Sequence, residues 1–201
     1  MSRKHKNAKQ YKGPDKFARA ARAQGFEARS VFKLEEINKR TRLLRQGDRV
    51  VDLGCYPGSW SRYAQQKIGR RGALVGVDLK TPIGLGGVFV ERSVLEVSAQ
   101  ELLDALGGPA DVVLSDMAPL TTGDRFGDHV RQVALARVGL ERALEVLKPG
   151  GHFCVKVFDG EDVPAFAKDL RSQFRRVRRL KPEAVRGTSV EFYLVGLERT
   201  P

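Results

Sequence analysis

An α/β fold on a mostly parallel sheet that ends in an antiparallel hairpin is predicted by two observations. From about residue 48 onward, short apolar runs alternate with amphipathic stretches, the signature of strands joined by helical crossovers. Near the C-terminus, two extended segments at roughly 176–181 and 189–197 follow one another with no long helix between them. So short a connection forces them antiparallel.

The elements follow in order. Residues 1–14 are polar, basic and poor in apolar anchors, which leaves too little burial to offset chain ordering, so a flexible basic tail is expected. Residues 15–201 then form a single domain that opens with a basic helical segment. That segment runs from Asp15 to Arg45 with a break at Gly25. A second start near Ser30 offers its hydroxyl as a cap for the helix holding Val31, Phe32, Leu34 and Ile37, with Lys33 in the first turn. Strands are expected near 48–53, 73–78, 88–91, 111–115 and 151–158, and helices near 58–68, 97–106 and 128–147. Lys148-Pro149-Gly150-Gly151 is taken as a helix stop and tight turn, and a further helix is expected near 162–174.

Composition narrows the function. The 201 residues, 41% of them hydrophobic, suit one globular domain able to fold alone as a monomer. A net charge of +12 points to a polyanionic partner. Residues 1–46 hold fourteen Lys and Arg against four acids. Nearly all the excess charge therefore sits in the N-terminal quarter. Tyr11, Phe17, Phe26 and Phe32 lie among these charges, a mixture suited to phosphate contact and base stacking, although Phe32 reads better as packing onto the domain. Arg171 to Lys181 is a second basic cluster, equally consistent with a solvated edge. Cys55 and Cys154 form no CxxC pair, and His5, His129 and His152 have no metal-ligand spacing. No metal and no disulfide are expected. No run approaches a membrane span and no apolar leader is evident, so a cytoplasmic protein is expected.

The first strand ends in Val50-Val51-Asp52-Leu53-Gly54, and Pro57-Gly58-Ser59-Trp60 opens the next helix. Ligands of open α/β sheets bind at such strand ends. Gly54 and Gly58 remove the Cβ atoms that would hold a ligand off the backbone. A proline and a tryptophan occupy the helix entry where a pyrophosphate would need close amides. A nucleoside without phosphates is the better fit. Asp78, twenty residues beyond Gly58 and at the end of Val75-Gly76-Val77-Asp78, is placed to accept both hydroxyls of a ribose.

Five segments in this order resemble the FtsJ-type ribosomal RNA 2′-O-methyltransferases, most closely the bacterial large-subunit methyltransferase E group. They are Arg29 to Ile37, Val50 to Gly54 with Pro57 to Ser61, Ser115 to Pro119, Val155 to Phe158, and Ser189 to Tyr193. The resemblance runs from about Asp15 to the C-terminus. It implies a Rossmann-like class I fold dependent on S-adenosylmethionine and a uridine ribose 2′-oxygen of large-subunit ribosomal RNA, or of the 50S subunit, as methyl acceptor. Its Lys-Asp-Lys-Glu catalytic group falls on Lys33, Asp116, Lys156 and Glu191. Its cofactor contacts fall on Gly58, Trp60, Asp78 and Asp116, beside the Asp52 to Gly54 turn. Two positions depart from the pattern: Ser93 stands where an acid would meet the adenine amino group, and Ser59 replaces a glycine.

The chemistry asks for such residues independently. A ribose hydroxyl is a poor nucleophile, so in-line placement and removal of its proton are both required. Lys156 is the candidate base. Lys33 would push its pKa down while Asp116 and Glu191 would pull it up and orient the amines; alternatively Lys156 stays charged and only positions the hydroxyl. Competing readings are a non-catalytic RNA-binding assembly factor, a 2′-O-methyltransferase for another RNA, and a nucleotide-dependent oxidoreductase. The last lacks both a phosphate-cradling turn and a hydride-site pair.

Overall fold

The computed structural model describes residues 16–185 and 189–201. The basic tail expected over 1–14, with Tyr11 in it, lies outside them. Seven strands form one sheet in the order β3-β2-β1-β4-β5-β7-β6. In chain order these are β1 (Arg49–Leu53), β2 (Ala73–Asp78), β3 (Val88–Glu91), β4 (Ala110–Ser115), β5 (Leu147–Phe158), β6 (Phe174–Leu180) and β7 (Glu191–Arg199). The first five are parallel, and β7 runs antiparallel to both neighbours, β5 and β6. The fold class and the closing hairpin are as the sequence reading expected.

Helices cover both faces. On one side lie α1 (Lys16–Ala23), α2 (Val31–Thr41) and α3 (Ser59–Ile68); on the other lie α4 (Ala99–Leu106), α5 (Arg125–Val146) and α6 (Val163–Gln173). Each face has its own apolar core. Val51 and Leu53 of β1 pack with Leu102, Ala136 and Phe166, whereas Val50 packs with Leu34, Ile37 and Ala64. Burial on both faces explains why the central strands are mostly apolar. Phe26 is buried in the second core, and Phe32 packs against it.

Helix α2 starts after Ser30 as expected but without the expected cap, and α5 and β5 start earlier than expected, each for a local reason. Ser30 takes helical angles of −58° and −22° and makes no side-chain cap; a cap residue needs extended backbone for its hydroxyl to reach back. Helix α5 starts at Arg125 because Asp124 accepts hydrogen bonds from the Phe126 and Gly127 N–H groups at 3.2 and 3.1 Å. Strand β5 starts at Leu147, which pairs with Ala110 before the register jumps to Val112 opposite His152. The Lys148 to Gly151 segment is therefore an irregularity within the strand rather than a separate turn.

Candidate active site

The parallel strands deliver their carboxyl ends to one rim, and antiparallel β7 begins there. Asp116 follows β4, and its N–H donates to the Leu53 carbonyl at 3.2 Å. Lys156 lies on β5 with only 6% of its surface exposed. Its Nζ donates to the Asp116 carbonyl at 2.5 Å and stands 3.2 Å from Asp116 Oδ1. Lys33, in the first turn of α2, forms an ion pair with Glu191 at the start of β7. The structure thus brings all four expected catalytic residues to one place, as two ion pairs beside each other.

Two aromatic side chains brace this group. Tyr193 stands opposite Lys156 in the β5–β7 register, and its hydroxyl donates to Asp116 Oδ1 at 2.8 Å. Burial and the neighbouring Asp116 and Glu191 charges push the Tyr193 pKa well up, so it stays a donor. Its ring rests on Trp60, 5.5 Å between centroids. Trp60 in turn donates from Nε1 to the Ser30 carbonyl at 2.8 Å, which ties the start of α2, and with it Lys33, to α3.

Next to this group a cavity opens between β1, β2 and β4, lined by Gly54, Asp78, Arg92, Ser93, Met117 and Leu135 among others. Gly54 has φ +81°, and a Cβ there would stand 3.0 Å from the Met117 Cα; only glycine lets the two strand ends approach this closely. Asp78 accepts the Tyr56 and Leu79 N–H groups, one on each carboxylate oxygen, at 2.9 and 2.7 Å. Ser93 accepts the Leu95 N–H at 3.3 Å. Gly58, φ +113°, is overlaid by Pro82 and Leu85. Of the residues expected to bind the cofactor, Asp52, Gly58, Trp60 and Asp116 do not line the cavity. Asp52 is fully buried, takes the Ser61 hydroxyl at 2.6 Å on Oδ2 and leaves Oδ1 without a partner. Burial, opposed in part by that hydrogen bond and reinforced by Asp116 and Asp78, pushes its pKa up to about 7.

Gln132 was not singled out from sequence, and Ser59 was noted only as a departure from the motif, without a role. Gln132 on α5 donates from Nε2 to the carbonyls of Met117 and Lys156 at 3.2 and 2.9 Å, clamping together the strand ends that carry the site. Ser59 accepts the Ala28 N–H at 2.7 Å, so the residue that departs from the motif anchors the linker between α1 and α2. Neither carries a sequence signal, because a glutamine or serine within a helix is ordinarily solvated. Both cysteines are free and buried, with thiol pKa values pushed up by burial. Among the described residues no group of His, Cys, Asp or Glu could hold a metal, and no helix is long and apolar enough to cross a membrane.

A seven-stranded, mostly parallel sheet with an antiparallel strand inserted near its edge, and a glycine-floored cavity at its carboxyl rim, defines the Rossmann-like methyltransferase class. The chain belongs to the FtsJ-like methyltransferase family, which it matches over residues 26–199. It is 48% identical to a Sorangium cellulosum protein named ribosomal RNA large subunit methyltransferase E, covering 99% of this chain and 93% of that one. A protein of the same name from Desulfosudis oleivorans is 44% identical over 94% of this chain and 92% of its own. A Plasmodium falciparum structure assigned as a ribosomal RNA methyltransferase superposes with a TM-score of 0.74, covering 87% of this chain and 98% of that chain. At 23% identity it speaks for the fold alone.

Proposed function

We propose that the protein transfers a methyl group from S-adenosylmethionine to the ribose 2′-hydroxyl of a uridine in large-subunit ribosomal RNA, in the cytoplasm. The observation that carries this reading is the recessed Lys33–Glu191 and Lys156–Asp116 arrangement beside a glycine-floored cavity. The names of the relatives supply the choice of RNA.

The cavity residues fit the cofactor. Asp78 stands at the rim where a ribose would lie, and Gly54 keeps the floor clear. Asp52, Asp78 and Asp116 are close enough for the latter two to act on the first, a concentration of carboxylates that favours a cationic ligand. When bound, the cofactor supplies an electrophilic methyl group on a sulfonium. We assign its adenosine to Gly54, Asp78 and Ser93, with Gly58 shaping the loop over it and Asp52 and Trp60 supporting from behind.

Lys156 then has the central task. Its amine, aimed by the Asp116 carbonyl and carboxylate, would take up the hydroxyl proton as the ribose oxygen gains the methyl group, and would pass that proton on to solvent. Lys33 and Glu191 hold the ribose hydroxyls in line. Positioning of this kind and base catalysis, worth about 10²–10⁴-fold, are what a weak nucleophile lacks. The test is transfer of labelled methyl to bare large-subunit RNA and to 50S subunits, with nucleoside analysis. Ribose-methylated uridine that vanishes in Lys156→Ala supports the assignment. Tight RNA binding without transfer would make the protein an RNA-holding factor instead.

A further inference from the structure

On the side of Glu191 away from the cofactor cavity, two adjoining hollows share Arg125, Asp159, Ser189, Val190 and Glu191. One continues along β6 to Arg179 and Lys181, the other under Thr121 to Asp128. Together they make a trench that reaches the catalytic group from the solvent. The second hollow alone has a volume of about 420 Å³, within the range of sites that hold a small ligand.

The lining holds three cations, Arg125, Arg179 and Lys181, and three carboxylates, Asp128, Asp159 and Glu191, but two of the carboxylates are paired from outside it. Asp159 pairs with Arg179 at 2.9 Å, Asp128 with Arg131 at 2.5 Å, and Glu191 with Lys33. Every carboxylate is therefore matched. Arg125 and Lys181 have no carboxylate partner among the described residues; Lys181 donates only to the Ser189 carbonyl at 3.0 Å. The walls are fixed in advance. Asp128 holds the Thr122 and Gly123 N–H groups at 2.9 and 3.1 Å, and the Arg179 guanidinium lies 3.8 Å over the Phe192 ring. In the hollow that Arg125 and Lys181 share, Val190 offers an apolar surface, 44% exposed.

We propose that this trench seats the RNA strand next to the reacting ribose, with phosphates on Arg125 and Lys181 and an unstacked base against Val190. The inference rests on the function proposed above and adds where its substrate lies. Two cations without partners beside one exposed aliphatic side chain match a single strand, whose phosphates and base faces are both accessible. The depth of the site points the same way. Lys33 and Lys156 are only 8% and 6% exposed, so a ribose reaches them only when its nucleotide has left a helix.

The test is binding of a fluorescein-labelled oligouridylate, without cofactor, by anisotropy over a range of salt. Arg125→Glu and Lys181→Glu are each compared with Arg70→Glu, a charge reversal on the turn at Gly69–Arg71 before β2, at the opposite end of the sheet. Both trench residues are exposed, and an unchanged melting temperature checks folding. Each trench reversal should weaken binding about tenfold and reduce the salt slope by about one, with Arg70→Glu staying close to wild type. Wild-type affinity in both trench variants, or an equal loss in Arg70→Glu, overturns the proposal. Binding is read apart from turnover, so a wild-type protein that methylates no RNA would count against the proposed function while leaving the strand's location decided.

Discussion

Tyr193 donates its hydroxyl to Asp116 Oδ1 at 2.8 Å from the position directly across the sheet from Lys156. The carboxylate oxygen that faces the Lys156 amine is thus the one that a buried phenol also holds. Tyr193→Phe keeps the ring on Trp60 and removes only this donor. A net hydrogen bond to a charged group contributes about 1.5–3 kcal/mol, so a modest fall in stability is expected. Asp116 would also gain freedom to rotate off Lys156. We expect kcat to fall about tenfold with cofactor affinity within twofold, measured by single-turnover methyl transfer and calorimetry. Unchanged kcat would show that the backbone carbonyl of Asp116 alone positions Lys156.

Gly54 is where the cavity floor meets the β4 loop. Its φ of +81° disfavours any side chain, and an added Cβ would stand 2.8 Å from Met117 Cγ and 3.0 Å from its Cα. Gly54→Ala is expected to cost about 1–3 kcal/mol from backbone strain alone. Because Met117 adjoins Asp116, the displacement should reach Lys156. Cofactor affinity and kcat should both drop, by more than the loss of stability explains. Chemical denaturation together with cofactor titration decides this; full affinity in a well-folded variant would refute it.

Asp52 gives the stability a definite pH dependence. Its folded pKa of about 7 lies above the unfolded value of about 3.9, so the folded state binds the proton more tightly. The favourable contribution is complete below pH ~4 and is lost as the pH rises through about 7. About three pKa units correspond to a few kcal/mol. Asp52→Asn cannot titrate. We expect urea unfolding at acid and neutral pH to show wild type losing stability relative to the variant across that window. A difference between the two that is independent of pH would exclude this role.

The parts legible in sequence are those that repeat or that carry charge in an unusual place. Strands β1, β2 and β4 are buried on both faces and read as short, mostly apolar runs, with Asp52 the charged exception inside β1. Lys33, Asp116, Lys156 and Glu191 were legible through the motif segments that resemble the family, each of which sets a charge among residues at an element end. The start of β5 was hidden because Lys148-Pro149-Gly150-Gly151 has the composition of a turn, and only its pairing with β4 extends it. Ser59 and Gln132 were hidden for another reason. Their partners, Ala28 and the Met117 and Lys156 carbonyls, are 31, 15 and 24 residues away. No local spacing encodes such contacts.

Gln132 permits the most direct test of how the site is held. Its amide nitrogen serves two carbonyls at once, those of Met117 and Lys156, and the side chain is 1% exposed. Gln132→Met fills similar space but leaves both acceptors without a partner, at about 1–3 kcal/mol for a buried polar group. Gln132→Glu is worse, because a carboxylate would face two carbonyl oxygens. The order of melting temperatures should therefore be wild type, then Met, then Glu. In the methionine variant the strand ends carrying Asp116 and Lys156 are no longer bridged, so kcat should fall severalfold while KM for RNA stays near wild type. Equal kcat with a lowered melting temperature would assign Gln132 to stability alone.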